Sequence, residues 1–192
     1  MEEKLNQIYN KCIQELNSIG IDISDTEQIG IINISISKRN NKRYGCCKQE
    51  DPDTKTKYIE IKGGKKLIKY EKFKKHHIEI SPWLLELEEN IIKNTIIHEI
   101  IHCMPKCNNH GEHFKKYAKY INDKLGYNIS RVGDKKEDYY KSNIEYREKE
   151  EYNYHIKCIN CGQTFLRKRL NKNFERKYKC AKCGGKFKVK RI

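Results

Sequence analysis

Apolar residues first recur at helical spacing at Leu5, Ile8, Tyr9, Cys12, Ile13, Leu16 and Ile19, with Gly20 after them as a stop; the chain is expected to open with an amphipathic helix. The pattern then changes period. Ile/polar alternation in Gly30-Ile31-Ile32-Asn33-Ile34-Ser35-Ile36-Ser37 predicts a half-buried strand. Arg39-Asn40-Asn41-Lys42 reads as a turn, after which Arg43-Tyr44-Gly45-Cys46-Cys47 can pair back as a second strand. Tyr58-Ile59-Glu60-Ile61 and His77-Ile78-Glu79-Ile80 alternate in the same way, separated by Gly63-Gly64 and a lysine-rich loop, so a small sheet of three or four strands is expected.

Helical spacing returns at Ser81-Pro82, an N-cap followed by Pro at the first helical position. After a break near Glu88-Glu89-Asn90, a second helix is expected over residues 91–103, ended by Pro105. Ile91, Ile92, Ile96, Ile97, Ile100 and Ile101 cover most of its circumference, which marks a buried helix. A further helix over residues 110–125 has Phe114, Ala118, Ile121 and Leu125 as its inner stripe and Gly126 as its stop. Residues 134–153 are charged and tyrosine-bearing without apolar periodicity and read as a linker. The expected division is 1–133, 134–153 as linker, and a separate module over 154–192.

The buried helix contains His98-Glu99-Ile100-Ile101-His102. Two His at i and i+4 project from one helical face and can reach one ion, with the Glu beside it placed to deprotonate a water. Zinc lowers the pKa of such a water toward ~7. Three polar side chains within an otherwise isoleucine-rich buried helix are costly without a task, so satisfied core histidines are the weaker reading. The third ligand is His110 or His113. Asn109 with Glu112 makes a capping-box pattern, placing His110 in the first helical turn. His110 is i−4 from Phe114 and shares its inward stripe, while His113 points outward, so His110 is favoured. A rival use of the segment is a structural zinc on Cys103, Cys107, His110 and His113; it leaves His98, Glu99 and His102 unexplained. Cys103 and Cys107, like Cys12, Cys46 and Cys47, read as reduced packing cysteines, and His76-His77 as surface residues in a lysine-rich stretch.

Together these residues resemble the SprT-like family of zinc metallopeptidases. The resemblance rests on the HExxH at 98–102, on His110-Gly111-x-x-Phe114-Lys115, on Arg43-Tyr44-Gly45-x-Cys47, and on Ile78-Glu79-Ile80-Ser81 ahead of the helices. It covers most of 1–133, and the short Cys103-Met-Pro-Lys-Cys107-Asn-Asn-His110-Gly111 segment looks like the bacterial-type variant. The resemblance implies a minimal zincin fold and proteolysis of proteins on DNA, including DNA–protein crosslink repair. It also implies Glu99 as general base and zinc held by His98, His102 and His110.

The tail contains a repeat. Cys158-Ile-Asn-Cys161-Gly162-Gln-Thr-Phe165 matches Cys180-Ala-Lys-Cys183-Gly184-Gly-Lys-Phe187. Two Cys-x-x-Cys-Gly turns supply four thiolates to one tetrahedral zinc, and the glycines permit positive φ. So short a module cannot build a self-sufficient core, so the metal would fold it. A structural-zinc ribbon is therefore expected. From Tyr154 onward thirteen Lys/Arg face one acid, a balance of +12 out of the chain's +15. Arg167, Lys168, Arg169, Lys172, Arg176, Lys177 and Lys179 alternate with Phe174 and Tyr178 between the two Cys turns. Cations interleaved with aromatics suit phosphate contact plus base stacking, so DNA, single-stranded or distorted, is the expected partner.

Composition narrows the class. The chain is 36% hydrophobic and 35% charged, with no apolar stretch near the ~20 residues that span a bilayer. Its Met1-Glu2-Glu3-Lys4-Leu5 start has no basic and apolar leader, so a reducing, cytoplasmic setting is expected (nucleoid-associated if bacterial), where nine cysteines serve metal or packing. The sequence thus predicts an α+β zinc metallopeptidase with a C-terminal ribbon, one catalytic and one structural Zn²⁺, acting on DNA-bound proteins. The alternative is a non-catalytic nucleic-acid-binding or regulatory zinc protein whose peptidase site is vestigial or self-cleaving.

Overall fold

In a computed structural model, residues 1–38, 43–131, 133–146 and 152–192 are described. The turn expected at Arg39-Asn40-Asn41-Lys42 and part of the expected linker lie outside them. The fold is mixed α+β, in two compact units, Met1–Tyr146 and Arg147–Ile192.

The first unit opens with α1 (Glu2–Ser18), whose Leu5, Ile8, Cys12 and Leu16 are buried. Three strands form its main sheet: β1 (Ile31–Ile36), β2 (Gly45–Pro52) and β5 (Phe73–Ile80). Between β2 and β5 in the chain, β3 (Lys57–Lys62) and β4 (Lys65–Tyr70) make a separate two-stranded hairpin. Gly63 and Gly64 both have positive φ, 57° and 75°, as a two-residue hairpin turn matched to strand twist requires. The lysine-rich stretch expected as a loop is therefore β4. Nor does β2 pair back onto β1. The order is β1-β5-β2, with β5 parallel to β1 and antiparallel to β2. In the central strand β5, Ile78 and Ile80 are fully buried.

Ser81 and Pro82 start a 3-10 turn, Pro82–Glu86, in place of a full α-helix. The buried helix α2 spans Glu89–Ile101, and Ile92, Ile96, Ile97, Ile100 and Ile101 have no exposed surface. α3 spans Glu112–Leu125, with Phe114, Ala118 and Ile121 inward and Gly126 left-handed at its end. α4 (Lys135–Lys141) is capped by Asp134, which accepts from Lys136 and Glu137 N–H. Lys135 lies over the Trp83 ring at 4.6 Å, and Tyr139 faces Trp83 at 6.2 Å.

The second unit contains β6 (Tyr154–Cys158), β7 (Thr164–Arg167), the short α5 (Phe174–Lys177) and β8 (Phe187–Arg191), in sheet order β7-β6-β8. Its core is Ile156, Cys158, Cys180 and Phe187, with Phe165 and Phe174 packed against them. No helix among the described residues is long and apolar enough to cross a membrane.

Ile97 is fully buried among the apolar residues of the first unit. Ile97→Ala is expected to destabilise that unit by about 2–5 kcal/mol through lost burial and the residual cavity. Urea unfolding followed by the fluorescence of Trp83, the chain's single tryptophan, measures this.

Candidate metal centres

α2 places His98 and His102 on one face, and the turn before α3 brings in His110. The expected capping box does not form: Gly111 is the N-cap of α3, and the Asn109 side chain accepts from Gly111 N–H at 2.7 Å. His110 therefore reaches the cluster from the preceding turn. His110 Nε2 lies 3.0 Å from His98 Nε2 and 3.2 Å from His102 Nε2. Phe114 sits under all three rings, at 4.8 Å from each.

Two of the three rings, His102 and His98, have outward partners. His102 Nδ1 is 2.7 Å from the Cys107 carbonyl, which only accepts, so Nδ1 carries the proton and Nε2 offers its lone pair. His98 bonds the backbone of Ser130. Asn122 fixes that stretch: its side chain donates to the Ile129 carbonyl at 3.1 Å and accepts from Ile129 N–H at 2.8 Å. Burial, then its histidine neighbours, pushes His98 down to about 4. Burial likewise lowers His102 and His110. Neutral imidazoles with converging Nε2 lone pairs suit a cation, and these three residues fit a metal ion.

Glu99 is only 7% exposed. Burial first, then the nearby Cys47, pushes its carboxyl up to about 8, against the Cys47 backbone N–H and Arg43, which favour the charged form. β2 makes room for it at Gly45, where a Cβ would stand 2.8 Å from Glu99 Cγ and Oε1. Sequence reasoning noticed Gly45 only as part of a family pattern; a glycine opening a strand is itself the signal of a close approach. Gln49 donates to the His102 carbonyl at 2.9 Å and ties the same strand to the end of α2.

The rival ligand set does not assemble among the described residues: Cys107 and His113 join no group of converging donors, and His113 is exposed. Tyr44 packs on Trp83 at 4.7 Å, and burial and nearby Asp138 raise its pKa. Beside His110 a cleft of about 280 Å³ is lined by Phe114, Ala118, Ile129 and Arg131.

In the second unit Cys158, Cys161, Cys180 and Cys183 converge, with Sγ–Sγ distances of 3.5 Å (Cys158–Cys183) and 3.6 Å (Cys161–Cys180). Gly162 and Gly184 have φ of 72° and 69°, as the two turns require. The Cys161 and Asn160 backbone N–H groups pull the Cys158 thiol down to about 6. Four sulfurs on two turns fit a tetrahedral metal ion.

His110→Ala is expected to cost the first centre its metal affinity by at least ~10-fold, and His113→Ala to leave it within ~2-fold. Chelator competition on the full chain, with the four-cysteine centre as internal control, checks this; equal losses in both variants would reverse the assignment of the third donor.

No curated protein matches the chain. A sequence model of the SprT-like family matches residues 6–133. That match runs from α1 through the segment after α3 and takes in both histidine-bearing elements, and on it the chain belongs to the SprT-like family.

Proposed function

We propose that the chain is a zinc-dependent metallopeptidase that hydrolyses DNA-associated or DNA-crosslinked proteins. The observation that carries the proposal is the convergence of His98, His102 and His110 Nε2 within 3.2 Å, with Glu99 next in the chain and buried against Gly45. A metal-binding module needs the three histidines and has no use for that carboxyl. On this reading residues 1–133 are a minimal zincin domain, and residues 154–192 a zinc ribbon joined by 134–153. One zinc belongs to the three histidines, and a second to Cys158, Cys161, Cys180 and Cys183.

A bound zinc supplies the positive charge that polarises a carbonyl and acidifies water. Glu99 would take a proton from the attacking water and pass it to the leaving amine. Burial and the nearby Cys47 favour the neutral form of Glu99, as the second half of that task needs. Arg43 and the Cys47 N–H favour its charged form, as the first half needs. β2 pairs only with β5 among the described strands, so its other edge is available to an extended substrate. Backbone pairing of that kind selects little for sequence, and the cleft beside His110 receives one substrate side chain.

The ribbon supports the DNA-directed half of the reading. A cleft of about 500 Å³ is lined by Phe165, Phe174, Tyr178 and Phe187 together with Arg167, Arg169 and Lys179. Phe174 is engaged with the ribbon core and stacks on Tyr178 at 4.8 Å, leaving Tyr178, 42% exposed, as the platform for a base. Single-stranded or distorted DNA is the partner this surface suits, and a DNA-containing, cytoplasmic compartment is where the enzyme would act.

Glu99→Gln is expected to lower cleavage of a protein crosslinked to single-stranded DNA by at least ~10²-fold while the metal content stays unchanged. Cleavage at the parent rate would sink the peptidase reading and leave a nucleic-acid-binding zinc protein. Tyr178→Ala with Arg167→Ala is expected to weaken single-strand binding more than duplex binding, and binding by the parent chain to fall steeply with salt. Fluorescence anisotropy with both DNA forms across a salt series measures this. Equal losses on the two forms would assign the cleft to phosphate contact alone.

A further inference from the structure

A third group of ligand atoms converges in the first unit, apart from the three histidines: Cys47, His76 and Cys103. The sheet register explains the meeting. His76 on β5 is opposite Gln49, and Ile78 is opposite Cys47, so His76 and Cys47 are diagonal neighbours on one face. Cys103 follows α2 and comes over that face. Far from lying on the surface, His76 is 1% exposed, because it continues the buried row of Ile78 and Ile80. Cys103 is buried and Cys47 half-buried.

Cys47 Sγ lies 3.7 Å from Cys103 Sγ and 3.9 Å from His76 Nδ1. Two thiolates on one tetrahedral zinc, each at ~2.3 Å from it, stand about 3.8 Å apart. The four-cysteine centre shows comparable spacings, 3.5 and 3.6 Å. His76 turns Nδ1 toward Cys47 Sγ and is itself buried, so a polar ring is held on the buried face where an apolar residue of equal volume would cost less.

We propose that Cys47, His76 and Cys103 form a further metal site, which takes a thiophilic divalent cation of the zinc class through two thiolates and one imidazole. The fourth position faces the half-buried Cys47 side and takes an exchangeable ligand. Binding releases both thiol protons to solvent, so a dication on two thiolates and a neutral imidazole carries no net charge, as a buried site requires. The site joins β2, β5 and the end of α2 around Glu99. Cys103 Sγ is 3.5 Å from the Glu99 carbonyl oxygen, and the Cys47 backbone bonds the Glu99 side chain.

The test is NMR of the full chain loaded with an NMR-active cadmium isotope, whose resonance position reports how many sulfurs bind it. Three resonances are expected: one all-nitrogen, one with two sulfurs, one with four. Cys47→Ser with Cys103→Ser should remove only the two-sulfur resonance. His76→Phe, which keeps the ring volume and the fold, should shift or remove the same one. Absence of a two-sulfur resonance in the parent chain overturns the proposal. So does a Cys47–Cys103 disulfide found in its place by mass spectrometry. The all-nitrogen resonance reports on the three histidines independently, so failure of the peptidase reading and failure of this site are read from different signals.

Discussion

His110 Nε2 stands 3.0 and 3.2 Å from the Nε2 atoms of His98 and His102, and one ring proton satisfies one such contact where a single cation suits all three nitrogens. That constraint organises the first unit. The three rings cannot relax apart, because α2 is buried and Phe114 contacts each ring. The ring protons of His102 and His98 are committed outward, to the Cys107 carbonyl and the Ser130 backbone, so those two rings keep their lone pairs turned inward. The fold spends its rigidity on keeping donors pointed at a common centre.

Each support comes from a different element. The chain after α2 supplies the Cys107 carbonyl. The stretch after α3, held by Asn122, supplies Ser130. β2 supplies the space at Gly45 and the Cys47 N–H for Glu99. Local secondary structure alone would leave the histidines mobile. The tertiary packing of two helices and an edge strand is what orders them. In the second unit this dependence is reversed: its core is four buried residues with a few half-buried neighbours, so four sulfurs hold the strands more than the strands hold the sulfurs.

Much of this was legible in the residues. The isoleucine-rich helix interrupted by His98, Glu99 and His102 marks both burial and converging histidines, and the repeated Cys-x-x-Cys-Gly turns mark the four converging cysteines. What was illegible depended on long-range pairing. Strand order β1-β5-β2 cannot be read from alternation, which fixes the faces of a strand but not its neighbour. His76 was readable in part: it is in phase with Ile78 and Ile80, yet the surrounding lysines masked it. Asp134 followed by Glu137 was an overlooked capping pair, hidden because α4 has no apolar stripe. The capping box at Asn109 misled, because that side chain is used two residues on by Gly111.

The parallel pairing of β1 with β5 has a consequence for how the molecule is made. Ile31 meets Lys75, so the central pair of the sheet closes only after β2, β3 and β4 have been passed over. Such a closure is costly in chain entropy and slow compared with local contacts. The β3–β4 hairpin, joined by two glycines, forms on the microsecond scale and shortens the loop that β1 and β5 must close. Pro52 meets Phe73 across a shorter loop than the one between Ile31 and Lys75, so β2 pairs with β5 before β1 does. A chain interrupted between the two pairings leaves exposed the edge of β5 that β1 covers, a template for mispairing with another chain.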